Sequence, residues 1–295
     1  MTAQTIEAVM PSAPARALPA DACDCHGHVF GPLDRFPTGA STYAIPLAAP
    51  EVHGKMLARC GLSRAVLVQP APYGQDTGAL EAALETGGGR LRGIAVADAS
   101  IDDAAFARLH TAGVRGLRFV EMKDPVSGQR YAGSVGMAEL VALAPRMLAL
   151  GWHAQVWARC EDIPGIVDDH GGFGVPLVFD HMGQFDASEG VEDAAFRAFL
   201  RTVEQGHAWT KLTLCRLVPA GGDFRILRPF HEALTAARPD RLLWGSDWPF
   251  VRMGAQSPDV GRLLDLFLEW VDDHALARRI LVDNPAGLFG FNCGV

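Results

Sequence analysis

The sequence predicts one (β/α)₈ barrel, an α/β fold in which a ring of parallel strands is wrapped by helices. Three observations carry that prediction. Eight short, almost unbroken apolar runs recur along the chain, as expected for parallel strands covered on both faces. Amphipathic stretches alternate with them, which is the βα period of a barrel or of a doubly wound sheet. A chain of 295 residues suits one such barrel with long loops. No Gly-rich phosphate fingerprint follows any strand, which argues against the doubly wound alternative.

The elements follow in order. The first strand is 24–30, and a long irregular connection, 31–50, leads to a helix at 51–60. Strand 65–70 precedes helix 78–85, and strand 91–97 precedes helix 102–112, which has an acidic first turn and Gly113 as its stop. Strand 114–120 is followed by the second long loop, 121–136, and by helix 137–150, with Pro145 as a kink. Strand 153–158 pairs with helix 164–170, strand 177–181 with helix 191–206, strand 209–214 with helix 224–237, and strand 242–246 with helix 258–271. Loops after strands form the catalytic face of a barrel. The two long loops therefore carry Tyr43, Lys123, Arg130 and Tyr131 to that face. Residues 1–20, rich in Ala, Pro and Ser, read as a flexible N-terminal arm, and 21–295 as a single domain.

Composition narrows the function. With 26 Lys+Arg against 34 Asp+Glu the formal charge is −8, so no basic face is expected for nucleic acid or for an anionic membrane. No run of about 18 apolar residues is present, so no membrane span is predicted. The N-terminus lacks the basic flank and apolar run of a secretory signal. The six cysteines, at 23, 25, 60, 160, 215 and 293, are scattered rather than dense, which points to reduced thiols and a cytoplasmic enzyme. A homodimer is compatible with this composition.

Three strand ends carry candidate chemistry. His26 and His28 are two residues apart at the end of the first strand, so both side chains project the same way. Cys25 alternates with them and is expected to face away. His181 ends the sixth strand in Phe179-Asp180-His181-Met182-Gly183. Asp247 closes the eighth in Trp244-Gly245-Ser246-Asp247-Trp248-Pro249. Taken singly, each fits a turn or a satisfied core residue; together they converge on one barrel mouth. Asp247 is the candidate general base on water, and the three imidazoles are candidates to polarise a carbonyl and stabilise its oxyanion. The same four side chains would also make a single-metal site, and the spacing leaves that open.

The arginines point to the substrate. Arg118 ends the fourth strand, Arg130 lies in the loop after it, and Arg216 follows the seventh. Arginine binds carboxylate through a two-pronged fork, so such a cluster suits a small substrate with two or more acid groups. Tyr43, Lys123 and Gln155 are further candidates to hold those groups, and Lys211 adds charge from inside the seventh strand. No Gly-x-Ser-x-Gly elbow is present, which removes a serine-hydrolase reading. His53, His110, His170, His207 and His231 fall in helices or helix ends and are expected at the surface, while His153 is expected too deep in its strand to serve.

Over roughly residues 21–291 the chain resembles the amidohydrolase superfamily, whose fold is a distorted barrel of this kind. Within it the chain is most similar to the 2-pyrone-4,6-dicarboxylate lactonases and their relatives. The resemblance rests on residues 24–32 (Asp-Cys-His-Gly-His-Val-Phe-Gly-Pro), 68–70 (Val-Gln-Pro), 116–119 (Gly-Leu-Arg-Phe), 179–183, 243–249 (Leu-Trp-Gly-Ser-Asp-Trp-Pro) and the ending 283–291. It implies hydrolysis of a carboxylate-bearing lactone in aromatic-compound degradation, with no required metal. It also implies a second basic residue soon after the fourth strand, a place that Lys123 or Arg130 could fill. Three relatives of that chemistry stay open: a sulfomuconolactone or aldaric-lactone hydrolase with a single Zn or Mn, a zinc-dependent decarboxylase, and a non-catalytic binder of acidic metabolites. Strand four offers Arg118 where many amidohydrolases place a bridging ligand, so a binuclear centre is not expected.

Overall fold

The side chains of a strand alternate between two faces, and in this chain that alternation separates a packing layer from a chemical one. The structure is a computed structural model that describes residues 4–292 apart from 40, 42, 125, 126 and 220. Eight strands form its sheet: β2 (Cys23–Gly27), β4 (Arg64–Val68), β5 (Leu91–Ala95), β6 (Val114–Val120), β7 (His153–Trp157), β8 (Leu177–Phe179), β9 (Trp209–Leu212) and β10 (Leu242–Trp244). They pair in parallel and in chain order. The ring closes just past β10. Gly27 bridges Trp248, the Asp247 amide donates to the His26 carbonyl (2.7 Å), and the His28 amide donates to the Trp248 carbonyl (2.8 Å). The fold is thus the expected (β/α)₈ barrel, distorted where irregular backbone completes the ring.

In β6 and β7 the outward residues Leu117, Phe119, Ala154 and Val156 are buried against the helical layer. The inward ones, Arg118, His153, Gln155 and Trp157, fill the barrel. Below them Cys23, Cys25, Val66, Val68, Ile94, Val178 and Leu243 form an inner apolar cluster with Phe289 and Phe291. Cys25 packs there and not on the two histidines, and His153 stands edge-on to Phe289 at this lower level (5.1 Å).

The helices follow the sequence reading: α1 (Pro50–Cys60), α2 (Gly78–Thr86), α3 (Asp103–Ala112), α4 (Leu140–Ala149), α5 (Ile163–His170), α6 (Ala194–Glu204), α7 (Arg228–Ala237) and α8 (Val260–Val271). Asp102, Asp193 and Asp259 cap α3, α6 and α8 by accepting from the amides of Ala105, Phe196 and Arg262. Expected helices 137–150 and 224–237 both open with 3₁₀ turns, Met137–Glu139 and Phe224–Leu227, before α4 and α7 begin. Two of the histidines expected at the surface are in fact buried. His53 packs against Trp248, and His231 lies between Phe267 and Trp270, because both occupy the inward stripe of an amphipathic helix.

Past α8 the chain adds α9 (His274–Arg278), a π-helical segment at Arg279–Asp283 and α10 (Asn284–Phe289), where the sequence reading places no element. These carry the ending 283–291 beneath the barrel. Arg92 donates to the carbonyls of Phe289 (3.1 Å) and Gly290 (2.7 Å), and Arg64 to that of Asn292 (2.7 Å). That motif is therefore a floor, not part of the mouth. At the other terminus, β1 (Thr5–Glu7) pairs with β3 (Ile45–Leu47), and Ser12 and Ala15 donate to Asp259 and Asp265 on or beside α8. The segment read as a flexible arm is laid along the barrel at these points, and its residues 1–3 lie outside the described residues. Five cysteines are buried free thiols, and Cys293 is outside the described residues. Among the described residues no helix is long and apolar enough to cross a membrane.

Candidate active site

The inward residues of neighbouring strands meet at one level because parallel register stacks them. Arg118 pairs with Gln155 across β6 and β7, Gln155 with Val178 across β7 and β8, and Leu243 with Lys211 across β9 and β10. Asp180, one step past β8, follows Val178 on the inner face. Above this layer open the strand ends that hold His26, His28, His181 and Asp247. Two of these have backbones in the left-handed region: His181 with φ 52° and Asp247 with φ 65°. That conformation costs on the order of 1–3 kcal/mol for a non-glycine residue, and it re-aims each side chain toward the barrel axis. Gly245 makes room for the arrangement, since a Cβ there would stand 2.7 Å from His26 Cβ.

The three imidazoles gather around Asp247. His28 Nε2 lies 3.1 Å from Asp247 Oδ1 and His26 Nε2 3.4 Å from the same oxygen. The His181 ring is 5.1 Å from that of His26 and edge-on to Trp157. Arg216 Nε donates to Asp247 Oδ2 at 2.6 Å, and Arg216 Nη1 to the Val251 carbonyl at 2.9 Å. Cys215 Sγ donates to the same Oδ2 at 3.4 Å. The two carboxylate oxygens are therefore divided: Oδ2 is held, and Oδ1 faces the imidazoles.

Below lies a network absent from the sequence reading. Lys211, fully buried, donates to Gln155 Oε1 (2.5 Å) and stands 3.5 Å from Asp180 Oδ1 and 3.4 Å from His26 Nδ1. His26 Nδ1 is 3.2 Å from Asp180 Oδ1, and Arg118 Nη2 is 3.6 Å from Asp180 Oδ2. Asp24, also buried, accepts from the Ser246 hydroxyl (2.5 Å) and from the amides of Ser246 and His26, which ties the first strand to the turn that carries Asp247. Asp180 was readable only as the neighbour of His181. The signal for Lys211 was a lone cation at an inward position of an apolar strand.

Burial sets the protonation states. It drives the His26 pKa well below the usual range against the pull of Asp180, and that of His181 down to about 4 against Asp247 and Asp180. Both rings are neutral at neutral pH. For Asp247 burial alone would raise the pKa, but the Arg216 guanidinium beside it holds it well below the carboxylate range. Asp180 is likewise held low, with His26, Lys211 and Arg118 overcoming its burial. Asp24, with fewer charged neighbours, is pushed by burial up to about 6.

A divalent cation fits the donor set. His28 Nδ1 donates to the Val68 carbonyl (2.8 Å), which leaves the Nε2 lone pair turned toward Asp247. His26 Nε2 and His181 Nδ1 are buried with no hydrogen-bond partner among the described residues. Ligand atoms of His26, His28 and Asp247 lie within 4.8 Å of one another, as do those of His26, Asp180 and His181. Two or three imidazole nitrogens and a carboxylate oxygen are the ligands a single zinc takes.

The cleft above Asp247 is lined by His28, His181, Tyr43, Tyr131, Trp157 and Ser134 as well as by Arg118, Arg216 and Arg252. Three arginines stand against one aspartate. Not every candidate reaches it. Gln155 is one level too deep and is bonded to Lys211 and Asp180, so β7 presents Trp157 to the cleft instead. Lys123 and Arg130 form an antiparallel bridge on the loop after β6 and are not among the lining residues. Arg130 lies beside Glu121 (3.5 Å) and over Gly136. Tyr131 and Ser134 reach the cleft from that loop, and Arg252, which the sequence reading did not single out, from the turn after Asp247.

A family model described as amidohydrolase matches residues 23–291. The chain is 34% identical over 290 residues to a 2-pyrone-4,6-dicarboxylate hydrolase of Comamonas testosteroni, covering 95% of this chain and 93% of the relative. It is also 34% identical over 278 residues to a 4-sulfomuconolactone hydrolase of Rhizobium radiobacter, covering 93% and 91%. A D-galactarolactone isomerase of Agrobacterium fabrum is 26% identical, covering 94% of each chain. Among solved structures, a candidate 2-pyrone-4,6-dicarboxylic acid hydrolase of Pseudomonas putida superposes with a TM-score of 0.76 at 29% identity, covering 94% of this chain and all of the other.

Proposed function

Because the chain belongs to the amidohydrolase family, we propose that the convergence on Asp247 is the active site of a lactone hydrolase acting on a ring that carries two carboxylates. The observation that carries this reading is the pairing of one held carboxylate and three imidazoles with a cleft of three arginines against one acid. A doubly anionic planar ring such as 2-pyrone-4,6-dicarboxylate matches the excess of positive charge and the flat walls of Tyr131 and Trp157, which stack at 5.3 Å. The buried free thiols suit a reducing cytoplasm.

Asp247 Oδ1 takes a proton from the attacking water as the water oxygen bonds to the lactone carbonyl carbon. The ring C–O bond then breaks, and the proton passes from Asp247 to the departing ring oxygen. Neutral His181 and His26 can donate to the developing oxyanion without carrying charge of their own. Arg216 makes Asp247 a weak base in the free enzyme. A substrate carboxylate that draws on the same guanidinium loosens that hold and raises the basicity of Asp247 when substrate is present. If a zinc or manganese ion were bound, His26, His28 and Asp247 would hold it, with His181 beside His26 as the further imidazole, and it would supply Lewis-acid polarisation of the carbonyl.

The test is hydrolysis of 2-pyrone-4,6-dicarboxylate by chelator-washed protein, with metal content measured on the same sample. Turnover supports the reading, and the metal content decides between imidazole-only and metal-assisted chemistry. A protein that opens neither this lactone nor 4-sulfomuconolactone, with or without added zinc or manganese, refutes it. The second substrate belongs in the assay because the two hydrolases share equal identity with this chain.

A further inference from the structure

Lys211 occupies an inward position of β9 and is fully buried. An ammonium carries three N–H donors and no acceptor. Three acceptor atoms stand around this one: Gln155 Oε1 at 2.5 Å, His26 Nδ1 at 3.4 Å and Asp180 Oδ1 at 3.5 Å. The Asp180 carboxylate pairs the charge inside the barrel. Gln155 in turn donates through Nε2 to Asp180 Oδ2 (3.2 Å), so its amide is oriented by a donor on one side and an acceptor on the other.

This arrangement decides which nitrogen of His26 holds the proton. A neutral imidazole has one donor nitrogen and one acceptor nitrogen. Among the described residues, the hydrogen bond that meets the His26 ring comes from Lys211 Nζ, and because the ammonium can only donate, Nδ1 must accept. Asp180 Oδ1 is nearer to Nδ1, at 3.2 Å, yet it has no hydrogen-bond partner among the described residues: it lies off the line along which a ring N–H would point. The geometry thus leaves Nε2 as the protonated nitrogen. Nε2 stands 3.4 Å from Asp247 Oδ1 and is likewise unpartnered among the described residues, so its N–H is not spent within the protein. His28 has the opposite tautomer, since its Nδ1 donates to the Val68 carbonyl. The two imidazoles nearest Asp247 therefore differ: His26 presents an N–H and His28 a lone pair.

We propose that Lys211 is a positioning residue for the reaction: its ammonium fixes the His26 proton on Nε2 and so keeps an N–H, not a lone pair, beside Asp247 for the developing oxyanion. The catalytic part rests on the lactone-hydrolase reading; the tautomer does not. The test uses the full chain, isotope-labelled at histidine and washed of metal, since a cation on Nε2 would require the other tautomer. Long-range proton–nitrogen NMR reads the protonated nitrogen of His26, its signal identified by loss in His26→Gln. Wild type is expected to show Nε2–H; Nδ1–H there overturns the proposal before any variant is considered. Lys211→Met, of similar length and without donors, is expected to show Nδ1–H, with the proton turned to Asp180. On 2-pyrone-4,6-dicarboxylate its kcat should fall about 10²–10³-fold, the loss typical of one oxyanion donor, with KM within about threefold of wild type. Lys211→Arg, which keeps a cationic donor, should retain the wild-type tautomer and most of kcat, and it guards against a folding defect in the first variant. A switched tautomer in a chain that hydrolyses no lactone supports the role of the lysine and refutes only the reaction reading. A folded Lys211→Met that keeps Nε2–H, or one that switches tautomer with kcat within about threefold of wild type, overturns the proposal.

Discussion

Asp247→Asn is the sharpest probe of the chemistry, because the structure separates what the two carboxylate oxygens do. The amide is nearly isosteric, and its oxygen can still accept from Arg216 Nε, now 2.6 Å from Oδ2. The group facing His28 and His26 at 3.1 and 3.4 Å can then no longer take a proton from water. General-base catalysis contributes about 10²–10⁴, so kcat should fall by at least about 10². A hydrogen bond to a charged group is worth about 1.5–3 kcal/mol, and the amide keeps part of it, so stability should drop by about 1–2 kcal/mol. Binding of the dicarboxylate should hold or tighten, since Arg216 is freed from a competing charge. The assay is stopped-flow hydrolysis at saturating lactone, with calorimetric binding of intact substrate to the slow variant and a urea melt for stability. A kcat within tenfold of wild type would refute the assignment of Asp247 as base. So would a variant that is inactive because it no longer binds.

Two further outcomes follow from the geometry. Gly245→Ala places a methyl 2.7 Å from His26 Cβ; overpacking of this kind costs about 1–3 kcal/mol. Activity should fall much further than the melt suggests, because His26 is displaced; normal kcat would show that the ring position is not critical. Buried His231 has its pKa driven down to about 3 by burial, below its ordinary 6.5. A depressed folded pKa means that the unfolded chain binds the proton first. This contribution is complete above pH 6.5 and is lost as pH falls toward 3. At pH 5 the difference is 1.5 pH units, or about 2 kcal/mol. Urea melts at pH 7.5 and pH 5 should show wild type losing about that much more than His231→Phe. Equal losses would place a charge-stabilising contact at this ring.

The sequence by itself determined the barrel and most of its mouth. Eight apolar runs became eight strands in chain order, since parallel strands covered on both faces must read that way. The spacing of His26 and His28 put both on Asp247, because residues two apart share a strand face. His181, Arg118, Arg216 and Tyr43 reached the cleft for the same reason, each standing at a strand end or in a loop after one. Depth was not legible. Whether an inward residue meets the substrate or lies beneath it depends on the stagger of the ring. Tertiary structure alone could therefore set Gln155 under Trp157 and bury Lys211 against Asp180. Loop conformation was equally out of reach. The loop after β6 turns Arg130 onto Glu121 and sends Tyr131 inward, while a turn of positive φ brings Arg252 to the cleft from a stretch with no periodic signal. Strand pattern is a local property of the chain, whereas the charge that meets a substrate is decided where distant segments pack together.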